Sequence, residues 1–169
     1  MENTVKLYAF RYNHIKTYLF AALFVIGNII LPQICHLIPN GGFIFLPIYF
    51  FTLISAYKYG FTVGVLTALC SPLINNLLFG MPPTPVLPAL LIKSVLLAIA
   101  GAYAAKYTGK VSILALVLVV LSYQVVGTVF EWMLKADFLV AIQDFRMGVP
   151  GMLIQIFGGY AVLKSISRI

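Results

Sequence analysis

The sequence predicts an all-α integral membrane protein with six transmembrane helices and with both termini on the cytoplasmic side. The 169 residues are 62% hydrophobic and 9% charged, with a mean hydropathy of +1.04. Soluble domains carry about 25% charged residues. Continuous apolar runs of the length that crosses a bilayer, about 20 residues, recur along the whole chain. Lysine and arginine lie mostly between these runs on one side, as is typical of a cytoplasmic face.

Short polar or turn-forming stretches separate the apolar runs, so one membrane domain covers residues 1–169. The predicted spans are 17–37, 43–57, 61–79, 86–105, 111–134 and 148–163. The second segment is short and contains Pro47, so the sequence leaves open whether it crosses completely. Continuous runs exclude a β-barrel, because barrel strands alternate in polarity over about 10 residues.

The positions of the basic residues predict how the chain is oriented in the membrane. With the N-terminus in the cytoplasm, the residues on the inside are Lys6, Arg11, Lys16, Lys58, Lys106, Lys110, Lys164 and Arg168. Only Lys135 and Arg146 then lie outside, and both have acidic neighbours. Membrane orientation therefore explains the net charge of +7, and no nucleic-acid partner is predicted.

Strongly polar side chains within the spans fall almost entirely in the outer half of the membrane. An ionisable residue inside a membrane segment is a functional-site hypothesis by default. The predicted substrate-binding residues are Lys93, Asn75, Asn76, Glu131, Gln155, Gln124, Trp132, Gln33 and His36. Polar groups above an apolar inner half indicate a solute-binding pocket that opens outward, and they do not indicate a continuous pore.

Several of these residues have a structural alternative that the sequence leaves open. Lys93 either holds an anionic group of a solute or pairs with Glu131, and both roles can coexist. Asn75 and Asn76 either contact the solute or join helices by hydrogen bonds. Trp132 with Glu131 also fits an interfacial pair at the end of a span. For His36 the alternative is an ordinary loop histidine.

No catalytic or metal-binding motif is present. The chain lacks H-E-x-x-H, G-x-S-x-G and Walker patterns, and its acidic residues are scattered. Cys35 and Cys70 have no metal or redox spacing. The sequence therefore predicts a protein that is not an enzyme, without cofactor or metal, and any ATP hydrolysis would belong to partner proteins.

The run from Gly41 to Pro83 resembles the substrate-binding S components of energy-coupling factor (ECF) vitamin transporters. The similar features are L-P-I at 46–48, K-Y-G at 58–60, S-P-L-I-N-N at 71–76 and G-M-P-P at 80–83. Six spans, small size and cytoplasmic termini extend the resemblance over the whole chain.

The resemblance implies that the protein captures a vitamin or a related micronutrient outside a bacterial cytoplasmic membrane, where it would be a multi-pass protein. It also implies three partner chains, a transmembrane coupling subunit and two ABC-type ATPases. In that family the ligand lies near the outer surface, under the loop between the first and second helices.

The first helix departs from the family pattern. Many S components carry A-x-x-x-A there, which docks on the coupling subunit, but Ala21 and Ala22 are followed at that spacing by Val25 and Ile26. We predict that Ala21, Ala22 and Gly27 supply a related docking surface.

Two other functions fit parts of the sequence. A non-transporting scaffold of the cell envelope would need no pocket, and Lys93 and Glu131 would then be structural. A small ion-coupled carrier is a further alternative, although such carriers often contain inverted repeats and broken helices, and the chain shows no clear repeat.

Overall fold

Six helical stretches in the structure are long and apolar enough to cross a membrane. The structure is a computed structural model that describes Phe10 and residues 12–166. The spans are Ile15–Cys35 (span 1), Gly41–Tyr59 (span 2), Phe61–Phe79 (span 3), Leu87–Thr108 (span 4), Ile113–Lys135 (span 5) and Val149–Ile166 (span 6). The all-α membrane fold with six spans is therefore confirmed.

The observed bounds of the spans lie close to the predicted ones. Span 3 begins and ends where the sequence predicts, and the other bounds shift by one to three residues. The side of the membrane on which the termini lie stays a prediction. Three basic residues that contribute to it, Lys6, Arg11 and Arg168, lie outside the described residues.

Span 2 is the centre of the bundle. It contacts spans 1, 3, 4 and 6, and 67% of it is buried, against 28–44% for the other spans. Spans 3 and 5 flank span 4, and span 6 returns against spans 5 and 2. One end of the bundle holds the ends of spans 1, 3 and 5 and the beginnings of spans 2, 4 and 6. We call it the cavity end, because the cavity described below opens there.

The helix of span 2 is interrupted near its start. An α-helical turn at Gly41–Phe45 is followed by Leu46 in the left-handed region (φ 46°, ψ 47°) and by a 3₁₀ turn at Pro47–Tyr49. The α-helix then resumes over Phe50–Tyr59. Pro47 has no backbone N–H to continue the α-helical ladder, which explains the interruption. The second segment is therefore a full-length but broken span.

Small residues let spans 3 and 4 approach span 2 closely. A Cβ added to Gly64 would lie 2.5 Å from the Cβ of Ala56, and one added to Gly101 would lie 3.5 Å from the same atom. Ala56 and Ala98 are fully buried at this contact. Close approach of this kind is the usual basis of helix association in membranes, where apolar burial favours no particular pairing.

Two short helices, Phe138–Ala141 and Gln143–Met147, connect spans 5 and 6 at the cavity end. The Asp137 side chain caps the first, because its Oδ1 accepts hydrogen bonds from the backbone N–H groups of Leu139 (2.9 Å) and Val140 (3.2 Å). The second helix carries Asp144 back toward spans 4 and 5. This connection is an ordered part of the site, although the sequence predicts only a polar interval here.

Candidate functional site

A cavity of about 340 Å³ opens at the cavity end. It lies between the end of span 1, the turn at 36–40, the broken start of span 2, the end of span 3 and the start of span 4. Its walls are mostly apolar, and no Lys, Arg, Asp or Glu occurs among the described residues that line it. The polar side chains at its walls are His36, Asn40, Tyr49 and Asn75. Its size falls in the range of small-molecule sites, about 300–1,000 Å³.

Asn75 is the most deeply buried polar side chain on this wall, with 1% exposure. Its Nδ2 donates to the backbone oxygen of Asn28 (2.9 Å) and to the backbone oxygen of Ser71 (3.0 Å). Its Oδ1 is buried and has no partner among the described residues. Both acceptors are carbonyl oxygens, which cannot donate, so the orientation of the amide is fixed.

A proline in span 1 makes the first of these bonds available. In an α-helix the backbone oxygen of Asn28 would accept from the N–H four residues later, but that residue is Pro32, which has no N–H. Nδ2 of Asn75 in span 3 donates to this oxygen instead. A hydrogen bond therefore links span 1, at the position of its proline, to span 3 beside the cavity.

The Asn28 side chain joins three spans below the cavity. It is fully buried, and its Nδ2 donates to Oγ1 of Thr52 (3.0 Å) and to Oγ of Ser71 (3.1 Å). Its Oδ1 accepts from the backbone N–H of Phe51 (3.2 Å), an unpaired group in the first turn of the resumed helix in span 2. Asn28 therefore caps that helix from a neighbouring span.

Lys93 lies in a buried charged cluster beside the cavity and not on its wall. Its Nζ donates to Oε2 of Glu131 (2.6 Å) in span 5 and to Oδ2 of Asp144 (2.8 Å) in the connection between spans 5 and 6. Lys135 lies 3.9 Å from the other oxygen of Glu131. Two lysines thus balance two carboxylates, and the geometry favours the structural pairing over an anion-binding Lys93.

Gly127 makes room for the lysine. A Cβ added to Gly127 would overlap Cγ of Lys93, so any other residue at 127 would displace this side chain. Lys93 is 2% exposed, and its alkyl chain lies along the backbone of span 5 at this point. Gly127 and Glu131 are four residues apart and lie on one face of the helix. Gly127 therefore provides the space for Lys93, and Glu131 provides its counter-charge.

Gln124 and Gln155 meet in a second buried polar group between spans 5 and 6. The Tyr123 hydroxyl donates to Oε1 of Gln155 (2.9 Å) and accepts from Nε2 of Gln124 (3.2 Å). The Tyr123 ring packs on Tyr49, with ring centroids 5.2 Å apart. Tyr49 is a cavity residue, so it separates this polar group from the cavity. Gln155 lies in a π-helical turn, Ile154–Gly158.

The remaining predicted site residues are dispersed. Nδ2 of Asn76 donates to the backbone oxygen of Pro82 (2.7 Å) and fixes the turn after span 3. Trp132 is 48% exposed on the bundle surface and packs edge-on against Phe138, at 5.4 Å between centroids. Gln33 is half-buried and does not line the cavity, whereas His36 does. Of the nine predicted residues, the structure brings only Asn75 and His36 to the cavity.

The predicted docking residues face different directions. Ala21 is buried and Ala22 is exposed. Gly27 packs against the bundle, where an added Cβ would lie 2.8 Å from the Phe51 ring. Ala22 alone therefore belongs to the exposed face of span 1.

Sequence reasoning missed Asp144, Tyr49 and Asn28 as members of the site. In the sequence Asp144 is only an acidic residue in a polar connection. Its pairing with Lys93 depends on how that connection folds. Asn28 could have been found as a polar residue four positions before a proline within a span. Across the described residues, no group of three or more His, Cys, Asp or Glu side chains is arranged to hold a metal ion.

Comparisons with protein-family models, with curated proteins and with solved structures find no match to this chain.

Proposed function

We propose that this protein is the substrate-capture component of an ECF-type importer, which takes up a vitamin or a related micronutrient. The observation that carries the proposal is the mostly apolar cavity of about 340 Å³ under the turn that joins spans 1 and 2. Sites for small organic molecules usually combine apolar walls with a few fixed polar groups. Asn75 is such a group here.

In this proposal the cavity end faces the exterior. Lys16, Lys58, Lys106, Lys110 and Lys164 lie at the opposite end of the bundle. A basic excess marks the cytoplasmic side of membrane proteins, so the charge distribution supports a cavity that opens outward.

Below the cavity, the interior is packed. Asn28 and its hydrogen-bond partners join spans 1, 2 and 3, and Leu53, Ile54 and Leu97 are fully buried further along the bundle. A closed lower half suits a subunit that binds a solute and is then driven by partner proteins. The partners in this proposal are a transmembrane coupling subunit and two ABC-type ATPases in a bacterial cytoplasmic membrane.

The test is mass spectrometry of the small molecules extracted from purified protein. The Leu90→Trp variant places an indole ring in the cavity wall. The matched control, Leu77→Trp, adds the same ring on a side chain that is 82% exposed. We expect one metabolite with the wild type and with Leu77→Trp, and none with Leu90→Trp.

An empty wild type leads to a second measurement, because a weakly bound ligand is lost during purification. A saturating panel of vitamins and their precursors should then raise the thermal stability of the wild type by mass action and leave that of Leu90→Trp unchanged. Stabilisation by no compound would overturn solute capture and favour a membrane scaffold.

The need for ATPase partners is tested in vesicles. The chain alone, reconstituted with the identified solute outside, should bind the solute without accumulating it. Accumulation driven by an ion gradient would instead identify a small ion-coupled carrier.

A further inference from the structure

We infer that the cavity selects a neutral, mostly apolar molecule that donates a hydrogen bond to Oδ1 of Asn75. This inference rests on the proposed function, because it assumes that the cavity holds a solute, and it names the chemical class of that solute. Nothing in the resemblance specifies this class.

The free oxygen of Asn75 sets the requirement for a donor. Both hydrogens of its Nδ2 are directed at carbonyl oxygens, one from Asn28 and one from Ser71. Oδ1 is left as a buried acceptor without a partner on a residue that lines the cavity. A buried polar atom without a hydrogen bond is costly in a membrane interior, so a ligand N–H or O–H gains affinity at this atom. A ligand acceptor at the same place would be repelled.

Pro32 favours the same orientation of the amide. An ordinary residue at 32 would donate its N–H to the Asn28 oxygen, as the α-helical ladder demands. Nδ2 of Asn75 would then share this oxygen with a backbone donor, because a carbonyl oxygen has two lone pairs. With proline at 32 the Asn28 oxygen has no helical donor, so the hydrogen bond from Nδ2 of Asn75 has no competitor from the α-helical ladder.

The charges around the cavity indicate a neutral ligand. Among the described residues that line the cavity, none is an aspartate, glutamate, lysine or arginine. The neighbouring Lys93 is held by two carboxylates, at 2.6 Å and 2.8 Å. A carboxylate or phosphate on the ligand would lose its hydration without gaining a lysine or arginine partner on the described wall, which is strongly unfavourable. The original expectation of an anionic group on Lys93 is therefore replaced by a neutral donor on Asn75.

The walls indicate that the rest of the molecule is apolar. Most residues that line the cavity are apolar, and Pro39, Phe43, Met81 and Leu90 are among them. Such walls contribute affinity in proportion to the apolar surface area that they bury, and they discriminate little between shapes. Discrimination between donors and non-donors then comes from Asn75.

The experiment compares pairs of probes that differ in a single donor. The pairs are indole with N-methylindole and benzyl alcohol with benzyl methyl ether, and benzoate is the anionic probe. The full chain is reconstituted in nanodiscs and titrated by ligand-observed NMR. The Leu90→Trp variant measures partitioning into lipid, which is subtracted.

We expect the wild type to prefer the donor of each pair by roughly tenfold or more, which is the usual cost of leaving a buried acceptor unpaired. Asn75→Ala should bind both members equally, and its binding of the methylated probes shows that the variant is folded. Asn76→Ala is the matched control, because Asn76 binds the turn backbone and does not line the cavity, and it should keep the preference.

Three results would overturn the inference: equal affinity for both members of each pair in the wild type, a preference that persists in Asn75→Ala, or benzoate binding more tightly than benzyl alcohol. The inference would also be overturned if the wild type bound every probe no more strongly than the Leu90→Trp variant does. The proposed function stands or falls separately, on whether a metabolite accompanies the wild type and is missing from Leu90→Trp.

Discussion

Replacing Lys93 with methionine tests whether the charged cluster holds the bundle together. Methionine has a similar length, so it preserves the packing against Gly127 and removes only the charge. Two carboxylates, Glu131 and Asp144, would then lose the cation that lies 2.6 Å and 2.8 Å from them. Lys135, 3.9 Å from Glu131, would remain as a partial counter-charge.

The structure sets the size of the effect. Removing one partner of a buried ion pair costs about 3–5 kcal/mol. The two carboxylate side chains are 10% and 14% exposed, which allows some hydration and places the expected loss near the lower end, about 3 kcal/mol. Asp144→Asn leaves the pair with Glu131 intact and should cost about 1.5 kcal/mol, the value of one hydrogen bond to a charged group.

The assay is equilibrium unfolding in mixed micelles with increasing SDS, followed by circular dichroism. Lys93→Met should lose much less stability in a background of Glu131→Gln and Asp144→Asn, because no unpaired carboxylate remains. The coupling between the sites should be about 2 kcal/mol, within the range for residues in one network. An equal loss in both backgrounds would refute the pairing, as would a loss below about 1 kcal/mol in the otherwise unchanged chain.

Three further predictions concern the packing and the orientation. Asn28→Leu removes three hydrogen bonds. At about 0.6 kcal/mol for each bond, it should lower the free energy of unfolding by roughly 2 kcal/mol. Unchanged unfolding in SDS would contradict the capping role of Asn28. Gly64→Ala should cost about 1–3 kcal/mol by overpacking, because the new Cβ would lie 2.5 Å from Cβ and 2.7 Å from Cα of Ala56. Gly101→Ala, whose new Cβ would lie 3.5 Å from the same Cβ, should cost much less; equal losses would show that the close contact is not the cause. With the natural cysteines replaced, a membrane-impermeant maleimide should label Thr84→Cys but not Lys110→Cys in intact cells, and the reverse labelling would invert the orientation.

Composition and the length of the apolar runs were enough to predict the membrane fold. Each run is bounded by charges or by turn-forming residues, so the six spans emerge within three residues of their observed bounds. Because of Pro47 the sequence left open whether the second span crosses completely, since it does not show that a 3₁₀ turn can carry the helix past a proline. That detail depends on tertiary contacts around span 2.

The site was harder to predict, because its geometry depends on contacts between distant residues. Polarity within the spans identified Asn75 and Lys93, but not the surroundings that separate their roles. Lys93 is neutralised by Asp144, which lies 51 residues away in a connection whose fold the sequence does not specify. Nδ2 of Asn75 donates to the Asn28 oxygen that Pro32 leaves without a helical donor, a relation visible only once spans 1 and 3 lie side by side.

The burial of span 2 has a consequence for how the protein is made. Its mean hydropathy is 1.3, against 2.4 for span 5, and the surface it shows to lipid is small. A newly synthesised segment of this kind gains less by entering the bilayer alone than span 5 does, because it is less apolar. Of the helices that pack against it, only span 1 precedes it in the chain. Span 2 therefore reaches its buried position only after the ribosome has delivered the later spans that pack against it.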